Sequence, residues 1–344
     1  MHDLACVVHL HSTYSDGTGT VEQIVRAARQ AEVDVVLLTD HDTLGAKHDG
    51  KEGWHGSVLL LVGEEISPVG RDHYLAFGTE EHTPHSGRTA AEICQAVRDA
   101  GGFGFAAHPW SRGSERFRRP GMAFGDLEAA DGIELWSFAT DTAERLPSVR
   151  AALSFIAAPG RTLDHPPEEN VRAWDELCAR RRTPAIGGLD AHQFGKRIGP
   201  VVPIRLMSYR RSFAQIRTHV LCDESPSGEL ERDRAQVLAA LREGRSYIAV
   251  DALAPARGFR FWAEGPEGDV PLGADSRAGR YSLHAVLPGP ARLRLLRDGR
   301  EIASREAPAL VFDVDEPGVY RVEARLERHG RERTWVISNP VYLR

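Results

Sequence analysis

The chain has 344 residues, with Lys plus Arg at 43 against Asp plus Glu at 49, a formal net charge of −6 and 42% hydrophobic residues. That length buries a large core and suits one barrel-sized unit with a smaller companion. The acidic balance argues against a broad electrostatic footprint for nucleic acid or membranes, and no apolar run reaches transmembrane length. Four cysteines, Cys6, Cys94, Cys178 and Cys222, lie far apart without C-x-x-C spacing. They suggest neither a zinc ribbon nor a disulfide framework and fit a reducing cytoplasm. The start, MHDLACVVHL, carries an early acidic residue and lacks a signal-peptide pattern.

Leu4 to Val8 reads as a buried strand that runs into HLHSTYSDG, residues 9–17. Alternate side chains of an extended chain share a side, so His9 and His11 are placed to grip one ion, with Asp16 in the loop beyond. Val21 to Glu32 has helical apolar spacing with Thr20 as N-cap. Val33 to Thr39 is a second apolar strand, ending in Asp40-His41-Asp42. Ser57 to Gly63 is a third, ending in Glu64-Glu65, and His73 to Gly78 a fourth, opened by the histidine. Thr89 to Ala100 reads as a helix, and Gly102 to Ala107 as a strand emptying into His108. Gly132 to Trp136 is the next strand, with Glu134 read as facing a helix. Asp141 to Ala157 and Glu168 to Arg181 are helical, and Pro184 to Leu189 is a strand delivering Asp190 and His192. Seven apolar strands separated by helices predict a mainly parallel α/β sheet. Polar residues gathered at strand C-termini favour a distorted (β/α)7 barrel over an open, doubly wound sheet.

Val201 to Met207 reads as one more strand, Cys222 to Arg232 as an exposed loop, and Arg234 to Glu243 as a short helix capped by Gly244. Beyond Pro255 short alternating runs are separated by turn signals such as Asp298-Gly299 and Glu316-Pro317-Gly318. They predict a small antiparallel, Ig-like β-sandwich, dividing the chain into a barrel, 1–253, and an accessory domain, 254–344.

Nine polar residues thus collect at strand ends: His9, His11, Asp16, His41, Glu65, His73, His108, Asp190 and His192, six of them from the chain's 15 histidines. A single such histidine is more often a hydrogen-bonded core residue, but nine in this pattern point to metal. Imidazole and carboxylate without thiolate suit zinc, manganese or iron. The motifs HLHSTYSDG, LTDHD, GEEIS, Asp72-His73, AHP and GLDAH, in this order between Leu4 and His192, resemble those of the PHP (polymerase and histidinol phosphatase) family of metal-dependent phosphoesterases. The barrel followed by a sandwich ending Ser338-Asn339-Pro340 looks like the branch that includes carbamate hydrolases.

The resemblance implies two or three divalent metal ions. One would be held by His9, His11, Glu65 and Asp190, a second by bridging Glu65 with His73 and His108, and a third by Asp16, His41 and His192. Glu64 is the alternative to Glu65. The resemblance gives Glu65, His41, Asp190 and His192 the catalytic positions, around a water activated between cations. Arg71, Arg112, Arg116, Lys196 and Arg197 are candidates for substrate phosphate, with Arg112 and Arg197 favoured. Asp40 and Asp42 either orient ligand histidines or cap the following turn, and Trp110 and Trp136 read as core packing rather than stacking platforms.

The expected activity is hydrolysis of a small phosphate mono- or diester. The alternatives are a carboxylic, carbamate or amide hydrolase on the same centre, and a non-catalytic metal scaffold bearing a binding sandwich. The expected partner is a small substrate, without membrane or strong nucleic-acid binding, and homo-oligomerisation is left open.

Overall fold

The computed structural model describes the chain apart from residues 116–119, 147, 159–162, 194, 199–200 and 206, and gives backbone alone for 149, 195–198 and 201–205. In chain order the first part holds β1 (His2–Val8), α1 (Val21–Gln30), β2 (Val35–His41), α2 (Gly45–His48), β3 (Gly53–His55), β4 (Val58–Ile66), β5 (Tyr74–Phe77), α3 (Ala90–Asp99), β6 (Phe103–Ala106), β7 (Gly132–Ser137), α4 (Phe138–Arg145), α5 (Val149–Ala157), α6 (Glu168–Arg180) and β8 (Ala185–Gly188). The helix starts follow local chemistry. The Thr20 side chain accepts from the Gln23 N–H at the start of α1, and Thr89 forms a reciprocal capping box with Glu92 at α3.

β1, β2 and β4 pair in parallel, as do β6, β7 and β8. β5 lies between β4 and β6 and is antiparallel to both, a departure from the expected parallel order. The short Ser67–His73 connection cannot make the crossover that a parallel neighbour requires. The last strand returns beside the first. The Leu189 N–H donates to the Val8 carbonyl at 3.0 Å, the His11 N–H to that of Ala191 at 3.0 Å, and Leu10 bridges Ala191 in parallel.

Both faces of these strands are buried. Leu4, Cys6, Val8, Val35, Leu37, Leu59, Leu61, Leu75, Phe77, Phe103, Phe105 and Ile186 form an inner core. The alternate residues, such as Val7, Val36, Leu38, Leu60 and Val62, pack with Ile24, Val25, Ile93, Val97 and Trp174 of the covering helices. Continuous apolar strands are the sequence trace of this double burial.

After β9 (Gly195–Ile198) and β10 (Val201–Arg205), which pair with each other, come α7 (Tyr209–Phe213), β11 (Ile216–Cys222), α8 (Leu230–Arg242) and β12 (Ser246–Val250). Val237, Ala240 and Leu241 of α8 join the inner core. β11 and β12 are additional to the strands expected from sequence. Arg217, Thr218 and His219 look like loop residues, yet each is buried and partnered. β11 pairs antiparallel with β1 and β12, and β12 pairs with β19 (Arg331–Ser338) of the C-terminal sheet.

That sheet also contains β13 (Arg260–Gly265), β14 (Gly268–Pro271), β15 (Asp275–Ser276), β16 (Tyr281–Arg297), β17 (Arg300–Val314), β18 (Gly318–Arg328) and β20 (Val341–Leu343). All its pairings are antiparallel except β15 with β20. The alternating runs 281–287 and 291–296, two of those beyond Pro255, belong to one long strand interrupted by an irregularity between Val286 and Ala291, where Pro288 and Pro290 lack the N–H for a ladder. The core of this sheet reaches back across residue 253 to Leu221, Tyr247 and Ala249. The fold is therefore mixed α/β with one large, continuous sheet. All four cysteines are buried and free, and no described helix is long and apolar enough to cross a membrane.

Candidate metal centre

Parallel strands present their C-terminal ends together, and the residues that follow them converge. His41 ends β2, Glu65 lies next to last in β4, His108 follows β6, and Asp190 and His192 follow β8. His73 immediately precedes β5. Because β5 is antiparallel, its beginning lies at the same edge as the ends of its neighbours, which is why this histidine alone opens its strand. His9 and His11 were expected to alternate within a strand, but β1 stops at Val8 and His9 has φ of 63°. The rings still converge, 5.4 Å apart at an interplanar angle of 67°, by a left-handed turn rather than by strand alternation. His108 and Asp190 also have positive φ, 28° and 48°. Such strained backbone at three members of one cluster is typical of functional sites.

Glu65 is the hub. One carboxylate oxygen lies 2.8 Å from His73 Nδ1 and 3.2 Å from His108 Nε2. The other lies 3.2 Å from both His9 Nε2 and His11 Nε2 and 3.3 Å from His41 Nδ1. Asp190 approaches His9, His11 and His192 at 3.7, 3.6 and 3.5 Å. Asp16 approaches His192, His41 and His11 at 3.1, 3.7 and 3.9 Å. Among the described residues, ligand-capable atoms fall within metal-holding distance of one another in three sets: His11, Asp16, His41 and His192; His9, His11 and Asp190; and His9, Glu65 and His108. The structure thus brings all nine residues together, but it groups them differently from the implied partition. His11 also reaches the Asp16 set, and His9 joins Glu65 and His108 while His73 stands beside them.

Adjacent strand residues face opposite ways, so Glu64 points away from the cluster, to His82 Nδ1 at 2.6 Å and the Thr83 N–H at 2.9 Å. Burial pushes the Glu64 carboxyl up, against the pull of His82 and the Thr83 N–H.

The donors fit a divalent cation. Glu65 is 1% exposed. Burial drives its pKa up, but His9, His108, His11 and His73 outweigh that and hold it well below the usual carboxylate range. Burial pulls His11 down, while Asp190 and Glu65 push it up to about 9. His9 is raised by Glu134 and Glu65 against the same burial, whereas burial wins at His41 and lowers it. Asp16 is held at about 2, its burial offset by His192 first. Both ring nitrogens of His11 and Nδ1 of His108 are buried without a hydrogen-bond partner. Buried polar atoms are ordinarily satisfied, and a cation at the convergence of these rings would satisfy them.

Surrounding residues hold the cluster in place. Glu134, read from sequence as facing a helix, instead sits fully buried between His9 and His108. Nothing in GIELW signals this, since the glutamate lies inside an apolar strand. The Thr140 hydroxyl donates to Asp190 at 2.5 Å. Asp40 neither touches a ligand histidine nor caps the turn after β2. It accepts from the Ser12 N–H and from the hydroxyls of Ser12 and Ser15, bracing the loop that carries Asp16. Asp42 accepts from the Ser67 N–H at 2.8 Å, and the Ser67 hydroxyl lies 2.6 Å from His41 Nδ1. Asp42 therefore orients a histidine at one remove.

Arg71 and Arg112 line one surface cavity with Trp110, beside His73 and His108 in the chain. Arg71 is exposed and 3.4 Å from Asp72. Lys196 and Arg197 lie in β9, where only backbone is described, and Arg116 lies outside the described residues. Trp136 is core packing, at 2% exposure, and Trp110 is partly buried against the same core.

No family model matches the chain. It is 37% identical over 83 residues to a phosphoribosyl 1,2-cyclic phosphate 1,2-diphosphodiesterase from Eggerthella lenta, covering 22% of this chain and 32% of that protein. It is 39% identical over 69 residues to the 5'-3' exoribonuclease Rnm of Escherichia coli, covering 19% of this chain and 24% of that one. Among solved structures it is similar to a two-domain protein from Bacteroides vulgatus containing a predicted PHP-like metal-dependent phosphoesterase. That match has 16% identity and a TM-score of 0.46 and covers 98% of this chain and 95% of the other. The resemblance is to PHP-like phosphoesterases. The chain spans a third or less of the length of the two curated relatives just described.

Proposed function

We propose that this protein is a metal-dependent phosphoesterase that hydrolyses a small phosphate mono- or diester. The observation that carries the reading is the cluster itself, in which the two oxygens of a buried Glu65 address different histidines. In this reading residues 1–253 form the distorted (β/α)7 barrel with the chemistry, and 254–344 form an accessory β-sandwich. His9, His11, Glu65, His73, His108 and Asp190 hold two ions, and Asp16, His41 and His192 a third, drawn from zinc, manganese or iron. Bound cations would supply a hydroxide at neutral pH and a clamp for phosphoryl oxygens.

The chain's own part is to fix those positions. Glu65 spans the two histidine groups, Asp190 is steadied by Thr140, and the half-exposed Asp16 stands on the solvent side of the cluster with His41 and His192. Arg71 and Arg112 are the substrate-phosphate candidates on the described surface.

Within Ser338-Asn339-Pro340, Asn339 has a structural task. Its side chain bonds the Ala185 N–H at 2.8 Å, the Ala185 carbonyl at 3.0 Å and the Ser246 carbonyl at 3.0 Å, tying the C-terminal sheet to β8. The test is a panel of p-nitrophenyl phosphate, bis-p-nitrophenyl phosphate and naphthyl carbamate with the metal-loaded chain. Phosphate-ester turnover that disappears in Glu65→Gln is expected. Carbamate turnover without phosphate turnover would sink the proposal.

A further inference from the structure

We infer that Glu134 is a positioning residue that couples two ion positions, one carboxylate oxygen fixing the imidazole of His9 and the other the backbone of His108. The inference rests on the metal reading above.

Glu134 lies in the middle of β7, every residue of which is buried, and is itself 0% exposed. A carboxylate there is strongly disfavoured unless it is paired and hydrogen-bonded, and packing alone would be met by a leucine or methionine. Its partners are specific. Oε1 lies 2.9 Å from His9 Nδ1, and Oε2 accepts the His108 N–H at 2.7 Å. These residues belong to two of the three cluster members with positive φ, so one side chain pins both left-handed turns.

The contact with His9 also sets its chemistry. With Nδ1–H donating to Glu134, the lone pair is left on Nε2, the atom that faces Glu65 at 3.2 Å and Asp190 at 3.7 Å. A carboxylate behind a histidine in this way fixes its tautomer and strengthens it as a ligand. The neighbouring strand leaves room for this arrangement. A Cβ on Gly188 would lie 1.8 Å from Glu134 Oε1 and 3.0 Å from His9 Cβ, so a glycine on β8 admits the glutamate. His9 and His108 share one ligand set with Glu65, and His9 belongs to a second with His11 and Asp190. The set of His11, Asp16, His41 and His192 contains neither residue that Glu134 touches.

Removing Glu134 should therefore weaken one part of the centre and spare another. Glutamine keeps the volume but offers one acceptor, and its NH2 must face either the His9 Nδ1–H or the His108 N–H. The chelator-stripped full chain is titrated with Zn2+ and with Mn2+ against a competing chelator, alongside Asp16→Asn. Glu134→Gln should lose about 10–100-fold in affinity for the ions held by His9 and His108, with the remaining ion unaffected. Asp16→Asn should show the reverse. Thermal melting of the stripped proteins separates a packing role, since a merely structural glutamate would lower melting without selective ion loss. If Glu134→Gln does not fold, Glu134→Asp keeps the charge but cannot span both partners, and the same selective loss is expected of it. A wild-type chain that binds two or more ions beside a folded Glu134 variant with unchanged affinities overturns the inference and leaves the metal reading intact. A wild-type chain that binds fewer than two ions overturns both.

Discussion

At one end of β1, Asp16, Glu65 and Asp190 meet six imidazoles; at the other, Asp3 and Asp251 meet a single imidazole, that of His219, in company with Arg217, Arg260 and Tyr247. Asp3 accepts from His219 at 2.8 Å, the Tyr247 hydroxyl at 2.7 Å, the Gly258 N–H at 2.7 Å and Arg260 at 3.1 Å. Asp251 accepts from Arg217 at 2.8 Å, the Ala256 N–H at 3.2 Å and His219 at 3.3 Å. Buried charge is complete within the protein there, and the knot fastens β1, β11 and β12 to the start of the C-terminal sheet. Around Glu65 the carboxylate faces, among the described residues, imidazoles alone, and both ring nitrogens of His11 and Nδ1 of His108 stay without hydrogen bonds. Burial of the same residue types makes a joint where partners are fixed and a candidate binding centre where donors converge without them.

Mutation should have opposite consequences at the two ends of β1. Asp3→Ala leaves His219 and Arg260 without their carboxylate. It should lower stability in urea unfolding by about 3 kcal/mol or more while ion content is unchanged. Asp16→Asn at the other end should lower ion content yet leave the chelator-stripped chain within about 0.5 kcal/mol of wild type. Ion loss in Asp3→Ala without loss of stability would erase the distinction.

Acid sharpens the contrast. Burial raises the Asp3 pKa, but His219, Gly258 and Tyr247 outweigh it and bring the carboxyl from 3.8 to about 2. A folded pKa below the unfolded one gives stability that is present above about pH 4 and lost as pH falls toward 2, worth about 2 kcal/mol. Asp3→Asn should flatten this part of the acid limb in the stripped protein, and an unaltered limb would show that the joint does not hold Asp3 ionised. His219 is raised by Asp251 and Asp3 against its burial, so its contribution is complete below its unfolded pKa and fades as pH rises through the folded one. The smallest effect belongs to the rim. Arg257 pairs with Asp34 at 2.6 Å but is 48% exposed, and Arg257→Ala should change the urea midpoint by less than about 1 kcal/mol.

Much of the centre was legible because its residues punctuate apolar strands, as His41, Glu65, His108 and Asp190 do at or after strand ends. His73 was legible as a residue but not its reason, since only the antiparallel course of β5 explains why it opens a strand. Glu134 was not legible, because a lone glutamate inside GIELW carries no spacing signal and its partners lie at His9 and His108. The joint was hidden for a related cause. Asp3, His219 and Asp251 are far apart in sequence, and the polar Arg217–His219 segment interrupts the apolar pattern that would have marked β11. Partners brought together only by the fold leave no local trace, whereas candidate ligands repeated at successive strand ends do.

The proposed multinuclear metal centre is built around Glu65. Elemental analysis of the purified full-length chain after growth in metal-replete medium measures this directly. Two or three divalent ions per chain, falling below two in Glu65→Gln, are expected. Fewer than two in the wild-type chain, or a count unmoved by Glu65→Gln, would contradict it.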